Sequence, residues 1–274
     1  MTNLQGTDFL FRRWDAKPSP ASPKAVFLLV YGLGAHAARW AFFAEYFADR
    51  GFASYAIELR GLGRTPERPR GHVDSFQVWY RDILALRDII GRDFPEKKAF
   101  LFGESMGGLI AFDLAGRNPG MFSGVILGAP AFKNGLKFPL SAYIKLVLFL
   151  PFNPKLMIDV PFTSEMATRD PEYAAAMNAN PDELRAASLK LLAGFFPVQA
   201  RAGRLARRYA VPSLFLIPGI DHLVDERASR RIFGKVAAAD KTLIEYPEMF
   251  HALHIDLGRE KVFGDILDWT EKRV

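Results

Sequence analysis

The sequence predicts an α/β protein with one mostly parallel central sheet, helices on both faces and an inserted helical cap. Three observations predict it. Short, continuously apolar runs alternate with longer stretches in which apolar residues recur every three or four positions, the pattern of buried parallel strands and the helices that cover them. The alternation fails between residues 131 and 200 and then resumes. One apolar run, residues 98–102, stops at a Gly-x-Ser-x-Gly and continues as a helical pattern, which reads as strand, sharp turn and helix.

Residues 25–31 are apolar throughout, as expected of a strand covered on both faces, and end at Gly32-Leu33-Gly34-Ala35-His36. Trp40, Phe43 and Phe47 then recur at helical spacing until Gly51, a residue suited to a helix C-terminus. A strand is expected over 53–59, then a loop rich in Gly, Pro and Arg over 60–72. The next helix carries the stripe Phe76, Trp79, Ile83, Leu86 and Ile89. After Gly103-Glu104-Ser105-Met106-Gly107-Gly108 a helix is expected to reach Arg117, ahead of Pro119, and residues 124–128 read as a short buried strand. Beyond the interruption, 212–217 and 241–246 read as strands, with a helix opening near Asp225 between them and a last helix over about 256–272. The proline-rich segment 131–200 carries no clear strand and is expected to hold short helices. The division is core 1–130, cap 131–200 and core 201–274.

Composition narrows the function classes. Half of the 274 residues are hydrophobic and 24% are charged, an ordinary globular balance long enough for a large α/β core. The formal charge of +6 gathers in clusters at 201–208 and 227–235, which lie among helix formers and read as solvated helix faces. No aromatic or zinc motif accompanies them, so no nucleic-acid partner is expected. With no cysteine, thiol nucleophiles and cysteine metal sites are excluded. Residues 1–20, with Pro18 and Pro20 at their end, contain no continuous apolar segment of the kind a secretory signal needs. Residues 138–162 are interrupted by prolines and charges, too often for the roughly twenty apolar residues of a spanning helix. A cytoplasmic location is the default expectation.

The Gly-x-Ser-x-Gly sets the chemistry. In a nucleophile elbow the serine sits on a strained turn, so the residues two before and two after it must be small, as Gly103 and Gly107 are. The hydroxyl then lies at a helix N-terminus, where unpaired N–H groups favour developing negative charge. Ser105 is the candidate nucleophile. A serine hydroxyl needs a base within hydrogen-bond reach, itself oriented by a third group, and in this architecture acid and histidine follow the serine in that order. His36 and His72 precede the elbow, and His222 lies beside the candidate acids, which leaves His251 and His254. Spacing favours His251, nearer the preceding strand, while His254 fits a structural place at the start of the last helix. Asp221, in the loop directly after a strand, suits the orienting acid, and Asp225 suits a helix N-cap. Backbone N–H groups of Met106 and Leu33 are the candidate oxyanion donors, each worth roughly 3 kcal/mol in a transition state.

With Gly32-Leu33-Gly34, Gly103 to Gly108, Gly219-Ile220-Asp221-His222-Leu223-Val224-Asp225 and Phe250-His251-Ala252-Leu253-His254 in this order, the chain resembles the α/β-hydrolase superfamily. The similarity is greatest to its monoacylglycerol lipase and lysophospholipase-like branch and covers nearly everything outside the cap. It implies Ser105 as nucleophile, Asp221 as acid, His251 as base, Leu33 and Met106 as oxyanion donors, and no metal or organic cofactor. Two positions depart from the family pattern. Tyr31 stands where the oxyanion loop usually begins with histidine, and Glu58 stands where aspartate is usual.

The resemblance implies a small-molecule acyl ester as substrate, selected by the cap. Esterase action on short or aryl esters, an aminopeptidase relative anchored by acids such as Glu165, Asp170, Glu172, Asp182 or Glu183, and an acyltransferase are the alternatives. Tyr31, Glu104, Tyr143, Leu146, Phe149 and Leu150 are candidate pocket residues. The cap's surplus of large apolar residues, with Lys137, Lys145 and Lys155, suggests an acyl tunnel or a peripheral contact with a membrane, against ordinary packing of cap on core.

Overall fold

The computed structural model describes residues 9–18 and 22–274, so Pro20 and residues 1–8 of the segment read for a signal lie outside it. In chain order the core is β1 (Leu10–Trp14), β2 (Val26–Val30), α1 (Ala41–Ala48), β3 (Ala53–Glu58), α2 (Phe76–Asp93), β4 (Ala99–Glu104), α3 (Met106–Arg117) and β5 (Gly124–Gly128). The inserted segment holds α4 (Leu140–Phe149), β6 (Met157–Asp159), α5 (Pro171–Ala179), β7 (Ala186–Ser188) and most of α6 (Leu189–Ala206). The core then resumes with β8 (Ser213–Pro218), α7 (Glu226–Lys235), β9 (Lys241–Tyr246) and α8 (Arg259–Glu271).

Seven strands form the main sheet in the order β1-β3-β2-β4-β5-β8-β9, parallel except for β1, which pairs antiparallel with β3. Every residue of β2, β3, β4, β5 and β8 is buried, because helices cover both faces of these inner strands. Aromatic rings cement the layer under α1, with Phe27 packed against Phe43, Phe47, Phe52 and Phe100.

Several elements differ from the sequence reading. β1 shows no unbroken apolar run, because the consecutive Arg12 and Arg13 interrupt it, as charged residues commonly do on an edge strand. The inserted segment does contain strands: β6 and β7 form a short antiparallel pair. They are three residues each, too short for any periodicity to show. α8 begins at Arg259 rather than near Asp256, since Gly258 at φ 91° closes a turn ahead of it. α6 runs unbroken through residue 200 despite an internal Pro197, and its latter half, at Ala202, Leu205 and Ala206, belongs to the main hydrophobic core. No helix among the described residues is long and apolar enough to cross a membrane.

Candidate active site

β4 and α3 meet at Ser105, whose φ of 56° and ψ of −119° lie outside the regions an ordinary residue adopts. The turn is held by hydrogen bonds: Ser105 N donates to Gly128 O at 2.9 Å, and Ser105 O accepts from Leu109 N and Ala131 N, both at 3.0 Å. Only glycine fits on either side. A Cβ on Gly103 would lie 2.1 Å from Gly107 O, and one on Gly107 would lie 2.1 Å from Val30 O.

β8 and β9 deliver the other two side chains. His251 Nδ1 lies 2.7 Å from Asp221 Oδ2, and both side chains are buried. Asp221 Oδ1 accepts from Leu223 N at 2.8 Å and Val224 N at 2.9 Å, so the carboxylate is fixed by its own loop before it meets the histidine. Because the carboxylate accepts at Nδ1, the neutral ring keeps its lone pair on Nε2. That atom is buried, with no hydrogen-bond partner among the described residues. Burial pulls the His251 pKa down, but the charge of Asp221 and its hydrogen bond outweigh that and leave it raised above its usual value.

The residues left open by spacing separate clearly. Asp225 accepts from Arg227 N at 3.0 Å as the N-cap of α7 and pairs with Lys133 at 2.8 Å, a bond that depresses its pKa. His254 lies ahead of α8 rather than in it, stacked on Trp40 with centroids 4.3 Å apart, and its Nδ1 is 2.8 Å from Glu104 Oε1.

Ser105 and His251 share the wall of a cavity of about 410 Å³, together with Gly32, Leu33 and Met106. Met106 is the first residue of α3, where a helix leaves its N–H groups without an intrahelical partner. Of the candidate pocket residues, Glu104, Tyr143 and Leu146 line the cavity, while Tyr31, Phe149 and Leu150 do not. Tyr31 is buried beneath the loop, with its hydroxyl accepting from Leu59 N at 2.7 Å. The hydroxyl also bonds to Glu58, and burial with that neighbouring carboxylate raises its pKa well above the usual tyrosine value. Phe149 is 46% exposed, and Leu150 packs against the small cluster of Ala142, Ile158 and Leu189.

Glu58 in turn accepts from Ala37 N and from Arg64 N, both at 3.2 Å, so it ties the loop after β2 to the loop after β3. Sequence reasoning missed three contributors. Leu192, Phe195 and Phe196 of α6 line the cavity, and their helical spacing was the available signal. Arg39 also lines it, clamped by Glu183 at 2.5 and 2.7 Å, a pairing across 144 residues with no local signal. The third is the Glu104–His254 pair itself.

The fold and this site define an α/β hydrolase. A family model described as serine aminopeptidase, S33 (Hydrolase_4) matches residues 21–258, and the chain belongs to that family. It is 31% identical to the monoglyceride lipase of Mus musculus, over all of this chain and 90% of that protein. Identity to the monoacylglycerol lipase of Mycolicibacterium smegmatis is 30%, over 93% of this chain and 91% of that one. The crystal structure of the Paleococcus ferrophilus monoacylglycerol lipase superposes with a TM-score of 0.87 at 26% identity, covering 98% of this chain and 100% of that one. With these relatives, the chain is a carboxylic ester hydrolase.

Proposed function

We propose that the protein hydrolyses monoacylglycerol-like or other medium- to long-chain acyl esters through an acyl-enzyme on Ser105. The hydrogen bond between Asp221 and His251, a histidine that lines the same cavity as the serine on the strained elbow, carries this reading. Ser105 Oγ attacks the ester carbonyl carbon as its proton passes to His251 Nε2, and Asp221 stabilises the imidazolium. The tetrahedral oxyanion is met by the N–H groups of Leu33 and Met106. Collapse breaks the ester C–O bond, and His251 returns the proton to the departing alcohol. Water, deprotonated by the same Nε2, then attacks the acyl carbonyl and frees the carboxylic acid and Ser105.

The largely apolar wall, with Leu136, Phe138, Leu146, Leu192 and Phe195, suits an acyl chain. Around α4 the cap turns Leu140, Val147 and Phe152 outward at 75%, 74% and 86% exposure, beside exposed Lys137, Lys145 and Lys155, and we assign this edge to a lipid surface that delivers the substrate.

The family description raises an aminopeptidase reading, which needs a free carboxylate near the nucleophile for the substrate's ammonium. Glu104 is the acid that lines the cavity, and it is taken by His254. Glu183 is clamped by Arg39, Asp182 pairs with Arg64, and Asp170 caps α5. The ester reading is therefore favoured.

A hydrolysis panel of monoacylglycerols graded by chain length, p-nitrophenyl esters and aminoacyl amides tests it. The expected result is a maximum on medium or long monoacylglycerols, abolished in Ser105→Ala along with fluorophosphonate labelling. A maximum on short aryl esters or amides, with nothing on glycerides, would overturn it.

A further inference from the structure

Away from the catalytic cavity, α2, α3 and α6 enclose a second concavity of about 440 Å³. Its charged and polar lining is Gln77, Asp113, Arg117, Arg201, Arg204 and Arg208, four guanidiniums against one carboxylate. That carboxylate is already used. Asp113 is buried and accepts from Arg201 Nε and Nη2, both at 2.6 Å, and from the Tyr80 hydroxyl at 2.8 Å. Arg117 reaches the same carboxylate at 3.5 Å and stays 43% exposed, while Arg204 and Arg208 have no acidic partner among the described residues.

Basic residues at helix C-termini are common because they offset the dipole, and Arg117 and Arg204 do stand in last turns. The dipole does not explain why α3, α6 and Arg208, two residues past the end of α6, all bring arginines to one hollow that Gln77 of α2 also lines. Nor is Arg201 the solvated residue that the sequence cluster suggested, because its fork is spent on the buried carboxylate of Asp113. A ring of planar donors with surplus positive charge matches a tetrahedral dianion.

We propose that this arginine-lined hollow is a binding site for a phosphate-bearing anion, held by Arg117, Arg204 and Arg208 over the Asp113–Arg201 pair. The phosphate belongs either to a soluble phosphomonoester or to the headgroup of an anionic lipid. The occupied hollow would tie α3, which begins beside Ser105, to α6, which lines the catalytic cavity at its other end.

The test is thermal unfolding of the full chain in inorganic phosphate against chloride at matched ionic strength, with the wild type, R204E/R208E and R207E. Arg207 caps α6 on the same exposed stretch but does not line the hollow, so it controls for general basicity. Saturable stabilisation in the wild type and R207E, lost in R204E/R208E, is the expected result. An unsaturable rise, or equal loss in R207E, would overturn the site. Activity on a soluble ester checks that R204E/R208E is folded, and R204Q/R208Q repeats the measurement should the charge reversal unfold. Sedimentation with vesicles of phosphatidylcholine alone, or in equal parts with phosphatidic acid, separates the sources. Retention on the acidic vesicles that disappears in R204E/R208E assigns the lipid headgroup, and a phosphate effect without such retention assigns a soluble anion.

Discussion

A Cβ placed on Gly32 would lie 2.9 Å from the Cβ of Ser105 and 3.4 Å from its Oγ. The loop after β2 thus approaches the elbow as closely as a glycine permits, and Leu33 lines the same cavity as Ser105. Gly32→Ala must push the two apart, and loss of a single well-placed oxyanion donor costs about 10²–10³ in kcat. A fall of that order in kcat on a p-nitrophenyl ester is expected, with little change in circular dichroism. Retention of activity within a few-fold would count against Leu33 as a donor.

Activity should depend on pH through His251. The base acts neutral, so the rate rises as pH passes the His251 pKa, which Asp221 and, more weakly, Glu104 hold up against burial. Asp221→Asn is expected to reduce kcat on the order of 10⁴-fold, as loss of the orienting carboxylate does in serine proteases. It should also move the acidic limb of kcat/KM to lower pH. Glu104→Gln should shift the limb the same way by less, with a smaller loss of rate. A pH–rate profile for each variant checks both, and a shift to higher pH would contradict the assignment.

Tyr31→Phe removes the oxygen that accepts Leu59 N–H and bonds to Glu58. Leaving buried polar groups unmatched costs about 1–3 kcal/mol, so urea unfolding should show a loss of that size. Because Glu58 also holds Ala37 in the loop after β2, kcat should fall more than KM rises. Equal stability of the variant would show that Glu58 is anchored without the phenol.

The outward face of the cap makes a separate prediction. Val147→Ser with Phe152→Ser alters two exposed residues that do not line the cavity. Hydrolysis of monoacylglycerol dispersed in vesicles should drop several-fold, while kcat/KM on a soluble short-chain ester stays unchanged. Equal rates of the double variant and the wild type on both substrates would remove the lipid contact from the mechanism.

Sequence alone revealed the parts of this molecule in which chemistry and local structure coincide. The elbow was legible because a strained turn demands Gly103 and Gly107 at fixed offsets, and the Asp221 loop because an acid directly after a strand contrasts with an N-cap four residues on. Inner strands announced themselves by unbroken apolar runs, whereas β6 and β7 gave too few residues to carry a period. Pairings across the chain were invisible: Arg39 with Glu183, and His254 with Glu104, join segments that nothing local connects. Tyr31 was recognised as unusual but placed in the pocket, because sequence cannot tell a side chain that faces a ligand from one that turns beneath its own loop.

Pro197 takes one backbone donor from α6 within the stretch, Leu189 to Gln199, that lines the cavity, and the same helix runs on to Ala202, Leu205 and Ala206 of the packed core. The cap is therefore not a detachable module. Transplanting residues 131–200 from a relative would sever a continuous helix and set foreign side chains against Ala202 and Leu205, whereas an exchange that ends after Ala206 keeps it whole. Chimeras cut at these two points should differ sharply in soluble yield, and a lineage that acquires a new specificity by trading lids has to inherit part of the scaffold with them.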